Sequence, residues 1–230
     1  MTEQTKSRGT ALWGMLAAVL TTLAVVGIFY VAPEDADQGI IQKIFYFHVA
    51  IALTSLGAFL VGAIAAILYL RSREQRWDDM SVAAIGIGLV FTLLTVVTGS
   101  IWAKASWGHW WVWSDPRLVT YTVVALLYAA YFLLRSSLDG DRRMRSSAIF
   151  AIISFASVPV SFYSVRIAQS AIHPVVFRRD GASIPGEMMI WFVISLAAMF
   201  AIFWTMVRLE MLQRQAERTL RHLKLKLEAR

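Results

Sequence analysis

Residues 44–70 read IFYFHVAIALTSLGAFLVGAIAAILYL, twenty-seven positions with no Asp, Glu, Lys or Arg. A helix needs roughly 20 apolar residues to cross about 30 Å of hydrocarbon, so this stretch alone reads as a membrane span. Five more charge-free stretches surround it, at 11–31, 80–103, 118–134, 146–165 and 188–207. The 230-residue chain is 58% hydrophobic and only 16% charged, against about 45–50% and about 25% in soluble domains. The expected fold is an all-α integral membrane protein of six transmembrane helices. Residues 1–210 form its membrane domain and 211–230 a cytoplasmic tail. The first stretch follows Lys6 and Arg8 as a signal peptide's would. Its 21 residues exceed the usual ~7–15 and no small-x-small cleavage site follows, so it is read as a retained first span.

Charge placement gives the orientation. With the N-terminus inside and sides alternating, 16 of the 22 Lys and Arg fall on cytoplasmic segments, together with nine of the 15 acidic residues. The formal charge of +7 then lies wholly inside and the outer segments sum to zero, as the positive-inside rule requires. Both termini are expected in the cytoplasm of a multi-pass inner-membrane protein, and the basic excess reads as topology rather than nucleic-acid binding. The absence of cysteine excludes disulfides, thiolate metal sites and C-x-x-C-H haem attachment on this chain.

The outer segments, 32–43, 104–117 and 166–187, carry the unusual residues. The second reads KASWGHWWVWSDPR, with Trp107, Trp110, Trp111 and Trp113 in seven positions and Trp102 just before it. Tryptophan gathers at membrane interfaces as an anchor, yet four in one short loop exceed what anchoring uses. His48, His109 and His173 all map to this side, while His222 belongs to the tail. His48 is the lone Asp, Glu, Lys, Arg or His of its span, which makes it a functional candidate. Taken as one helix, 40–70 measures about 46 Å at ~1.5 Å per residue, so it tilts or projects outward and His48 sits near the outer interface. Pro174 disfavours helical geometry at His173, so the chain turns there. Two neutral imidazoles arriving from different spans across an aromatic slot would suit the iron of a porphyrin. Lys43, Lys104, Arg117, Arg166, Arg178 and Arg179 could meet its propionates. Each feature also has a plainer reading: an interfacial histidine that only hydrogen-bonds, an anchoring aromatic belt, and arginines solvated or held by lipid phosphates. His109, between Trp pairs, is read as a non-ligand.

The run Trp107-Gly108-His109-Trp110-Trp111-Val112-Trp113-Ser114-Asp115-Pro116-Arg117-Leu118 resembles the tryptophan-rich WWD signature of the haem-handling proteins of cytochrome c maturation, in particular the CcmC type. Thr98-Gly99-Ser100-Ile101-Trp102-Ala103-Lys104 resembles the approach to that loop. Lys43-Ile44-Phe45-Tyr46-Phe47-His48-Val49 resembles the first histidine region, and Ser164-Val165-Arg166 leading to His173 the second. The resemblance covers about residues 40–205. Here Ser114 stands between the last Trp and Asp115, where the family pattern has Asp directly, and the surroundings of His173 lack the expected Trp. The resemblance implies haem b bound non-covalently at the outer, periplasmic face, with His48 and His173 as axial ligands. Trp107, Trp110, Trp111 and Trp113 would form a platform at the haem edge. Asp115 and Arg117 would orient it or dock a partner, with Arg166 beside them. It further implies delivery to a membrane-anchored haem chaperone, CcmE, beside the ABC transporter subunits CcmA and CcmB and the small single-span CcmD. The chain has no P-loop, so it reads as a holder and presenter of haem rather than an enzyme.

Three other readings compete. A cytochrome c synthase-type subunit shares the WWD loop but usually has more spans and a different run after Asp. A transporter of haem or another amphiphile would need a polar path, and the six stretches carry no charge. An electron-transfer b-type cytochrome would stack its histidines within helices. In the tail, Ala216, Leu220, Leu223 and Leu227 fall near one helical face among basic residues, which suits the lipids of the inner leaflet or a cytoplasmic ATPase partner. Gly57 and Gly62, and Gly86 and Gly88, lack G-x-x-x-G spacing and so give no packing signal.

Overall fold

A computed structural model of the chain describes residues 3–168, 173, 177–178, 181–182 and 185–228. The architecture is helical: α1 (Glu3–Tyr30), α2 (Ile44–Ser72), α3 (Gln75–Trp107), α4 (Pro116–Ser136), α5 (Gly140–Phe155), α6 (Ser157–Ile167) and α7 (Gly186–Glu228). A 3-10 turn, Ile40–Lys43, leads into α2. Among the described residues the only strands are a two-residue antiparallel pair, β1 (Phe177–Arg178) with β2 (Gly181–Ala182), and an isolated bridge joins Asp35 and Gly39. Six helical segments are long and apolar enough to cross a membrane, with α5 and α6 together making one of them. Their junction at Ala156 lies just ahead of Pro159. Proline has no N–H to give to the carbonyl four residues earlier, and its ring crowds that carbonyl.

Helices α2 and α3 form a tight antiparallel hairpin at the centre, closed by Arg73 in the left-handed conformation (φ 59°). On one flank α7 packs against α1, α2 and α3, and on the other lie α4, α5 and α6. Lipid tails are as apolar as leucine, so association of spans depends on close packing of small residues. Gly62 and Gly88 supply it. A Cβ on Gly62 would lie 2.6 Å from Ile85 Cγ1, and one on Gly88 3.0 Å from Ala58 Cβ. Ser81 Oγ crosses the same seam to donate to the Gly62 carbonyl at 2.9 Å. These glycines matter despite lacking the spacing motif, because their contacts run across the hairpin. Beside them Phe59 stacks on Tyr128 at 3.7 Å between centroids and 2° between planes, tying α4 to the hairpin.

The two ends of the bundle differ. At one end, Arg135 at the close of α4 makes two hydrogen bonds, of 2.8 and 2.6 Å, to Asp78 in the first turn of α3. Neighbouring Asp79 pairs with Arg218 of α7 at 2.5 Å. Helix α7 runs 43 residues without interruption, so the expected amphipathic tail is a direct continuation of the sixth span. At the other end the helices do not close over one another, and a cleft opens among them.

Candidate functional site

The cleft lies between the cleft-end halves of α2, α3, α4 and α6. His48, Val49, Ala52, Leu53 and Leu56 line it from α2, and Thr95, Gly99, Trp102, Ala103 and Trp107 from α3. Trp111, Arg117, Leu118, Tyr121, Phe162, Arg166 and His173 complete it. Its empty space, counting the open mouth, is about 1150 Å³. The floor is polar where Tyr121 Oη meets Ser55 Oγ at 2.7 Å.

His48 stands one turn into α2. Its Nδ1 lies 2.9 Å from Thr98 Oγ1. That hydroxyl already donates its proton to the Leu94 carbonyl at 2.8 Å, so towards His48 it accepts. Nδ1 therefore carries the ring proton and Nε2 the lone pair. Gly99 makes room for this ring, since a Cβ there would come within 2.8 Å of Cε1. Trp102 meets the same ring edge-on at 5.7 Å and is itself held by Gln38, whose Oε1 accepts from the indole N–H at 2.9 Å.

The second histidine is placed by the Trp-rich loop. Trp107 is the last residue of α3, and Gly108 caps the helix at φ 79°, a left-handed conformation that favours glycine. The loop ends at Asp115, the N-cap of α4, followed by Pro116 at the first helical position, where its missing N–H costs nothing. Asp115 Oδ1 accepts from the backbone N–H groups of Arg117 and Leu118 at 2.9 and 3.0 Å, and His173 Nδ1 lies 3.1 Å from the same oxygen. Ser114 thus leaves the aspartate buried, at 3% exposure, and aimed at the histidine. Burial lowers the His173 pKa, and the Asp115 carboxylate only partly offsets this. The shift favours the neutral ring, whose Nδ1 faces the Asp115 carboxylate. Trp107 packs edge-on against it at 5.5 Å.

The remaining expected site residues divide. Trp107, Trp111, Arg117 and Arg166 line the cleft with the two histidines. Trp110 and Trp113 are 60% and 73% exposed and lie outside its wall, with Trp113 edge-on to Trp111 at 5.8 Å. The indole N–H of Trp111 and Nε of Arg117 are buried without a hydrogen-bond partner among the described residues. Arg117 also donates to the Phe162 carbonyl at 3.1 Å, and Arg166 lies 5.3 Å over the Phe162 ring. The two lysines take other roles. Lys43 is tied to the Phe29 carbonyl at 3.3 Å and Lys104 to the Gly108 carbonyl at 2.9 Å. His109 is exposed in the loop and His222 exposed in α7. Arg179 and the side chain of Arg178 lie outside the described residues. Sequence reasoning missed Thr98, Gly99, Trp102 as a wall residue and Tyr121. The i, i+4, i+7 spacing of Thr95, Gly99 and Trp102 could have found a shared face of α3.

A family model described as heme exporter protein C, CcmC, matches residues 2–226. The chain belongs to this family. It is 38% identical over 157 residues to the heme exporter protein C of Escherichia coli K12, a match covering 66% of this chain and 63% of the relative. It thus spans just under two thirds of that relative's length. The heme exporter protein C of Bradyrhizobium diazoefficiens is 31% identical over 208 residues, covering 87% of this chain and 79% of the relative. A ccmC-like mitochondrial protein of cytochrome c biosynthesis from Marchantia polymorpha is 32% identical over 181 residues, with 79% and 77% covered. CcmC family membership and six apolar helices together make this a multi-pass membrane protein.

Proposed function

We propose that this chain holds haem b non-covalently in the cleft, through His48 and His173, and delivers it to a haem chaperone during cytochrome c maturation. The observation that carries the reading is the pair of imidazoles lining one cleft, His48 with Nδ1 2.9 Å from Thr98 Oγ1 and His173 with Nδ1 3.1 Å from Asp115 Oδ1. A ring whose Nδ1 faces a protein oxygen would offer Nε2 to a metal. Among the described residues no three His, Cys, Asp or Glu converge as a metal cage. Two histidines suit an iron whose four equatorial positions are already filled by a porphyrin. The lining fits such a group, with Trp102, Trp107, Trp111, Leu53 and Phe162 facing its apolar surface. The unpartnered indole N–H of Trp111 and Nε–H of Arg117 are donors suited to carboxylates at its edge.

The positive-inside distribution favours a cleft at the outer, periplasmic face of the inner membrane, with both termini in the cytoplasm. There a partner's domain reaches the porphyrin edge, and non-covalent ligation leaves the haem free to depart. The exposed Trp110 and Trp113 suit contact with that partner, CcmE by family resemblance, with CcmA, CcmB and CcmD as further components. The test is the absorption spectrum of the purified full-length protein with haem, repeated for His48→Ala and His173→Ala. Each substitution is expected to abolish the low-spin bis-imidazole spectrum. Retention of that spectrum in both variants would refute the ligand assignment.

A further inference from the structure

The groups behind the two histidines differ in charge. Thr98 meets His48 with a neutral hydroxyl oxygen, itself anchored to the Leu94 carbonyl. Asp115 meets His173 with a carboxylate oxygen that is 3.1 Å from Nδ1 and buried with its residue. An acceptor on Nδ1–H raises the basicity of the ring's other nitrogen, and an ionised acceptor does so more strongly than a neutral one.

We infer that Thr98 and Asp115 are positioning residues that make the two ligands unequal, so that His48, backed only by a hydroxyl, is the one that yields first to an incoming ligand. The inference rests on the proposed histidine ligation and deepens it. With haem bound, His48 would be the ligand exchanged, and His173, backed by Asp115, the one retained. A partner's imidazole would enter on the His48 side, next to Thr98, Gly99 and Trp102. No bond in the porphyrin changes in this step. One nitrogen–iron bond is exchanged for another.

Carbon monoxide is a suitable probe, because it must displace one imidazole from the ferrous haem and its adduct has a distinct spectrum. Full-length haem-loaded protein is titrated with the gas for the parent chain and for Thr98→Val, Thr98→Ser, Asp115→Asn and His48→Ala. Valine keeps the β-branched shape of threonine without its hydroxyl, and serine restores the acceptor. Asparagine caps a helix about as well as aspartate, so Asp115→Asn removes the charge and spares the start of α4. Thr98→Val is expected to raise carbon monoxide affinity on the order of tenfold, within the roughly 10–100-fold range of such outer-shell substitutions. Thr98→Ser should match the parent chain, and Asp115→Asn should change affinity by less than about threefold. An effect of Asp115→Asn equal to or larger than that of Thr98→Val overturns the order, and an unchanged Thr98→Val overturns the role of Thr98. Failure of the underlying reading looks different: His48→Ala would then leave both the spectrum and the carbon monoxide affinity of the parent chain.

Discussion

Gly99 meets the His48 ring so closely that an added Cβ would lie 2.8 Å from Cε1. Thr98, the residue before Gly99 on α3, meets the ring's Nδ1 and keeps the ring over this position. Gly99→Ala is therefore expected to turn His48 out of position while leaving α3 helical, since alanine favours helix over glycine by ~1 kcal/mol. Circular dichroism should be unchanged, and haem retention under the proposed reading should fall towards that of His48→Ala. Full retention would show that the ring has room to spare. This contact was invisible in the sequence, where positions 48 and 99 are separated by half a hundred residues and belong to different spans. His48 was legible because a titratable group in a charge-free stretch stands out whatever it touches, and His173 because Pro174 marks a turn on the same side of the membrane. Side-chain direction inside the Trp-rich loop was not. Four indoles at alternating spacings gave no helical or strand period to say that Trp107 and Trp111 turn in while Trp110 and Trp113 turn out.

At the scale of elements, the spans were legible from charge-free length alone, but their ends and joints were not. The fifth span breaks at Ala156 into α5 and α6, and Pro159 was the available signal. The ion pairs opposite the cleft were hidden for another reason: Asp78, Asp79 and Arg135 sit just beyond the apolar stretches, where charges normally face water. In the fold Asp78 and Arg135 are both largely buried, with side chains 5% and 12% exposed. Removing one partner of a buried pair leaves the other uncompensated, at a cost of about 3–5 kcal/mol. Asp78→Asn is expected to destabilise the bundle on that scale, read as a lowered Tm in detergent. Replacing both, as Asp78→Leu with Arg135→Met, should recover much of the loss. A double variant no better than Asp78→Asn would mean that the pair supplies a specific contact that packing cannot replace.

For the whole molecule, the net charge of +7 divides unequally between the two ends of the bundle. The end without the cleft carries the Arg71–Arg73–Arg76 cluster, Arg142, Arg143 and Arg145, and the long extension of α7. Every alternating connection agrees with that assignment, so the orientation prediction belongs to the whole chain rather than to one loop. A reporter active only in the cytoplasm, fused after Arg230, is expected to be active, and one inserted in the first cleft-side connection at residue 36 silent. The opposite pattern would put the cleft on the cytoplasmic face and remove the basis for periplasmic delivery.

His48 and His173 lie about 125 residues apart along the chain, with four helices made between them. A ribosome adding ~5–20 residues per second takes on the order of 6–25 s to travel from one to the other. For that interval the nascent protein has the first imidazole in place and the aromatic wall assembling beside it, but no counterpart. Competence therefore arrives late and all at once, when the segment after the fifth span has been made. Under the proposed reading a nascent chain has both imidazoles only once that segment is made, with the sixth span, in α7, still to follow.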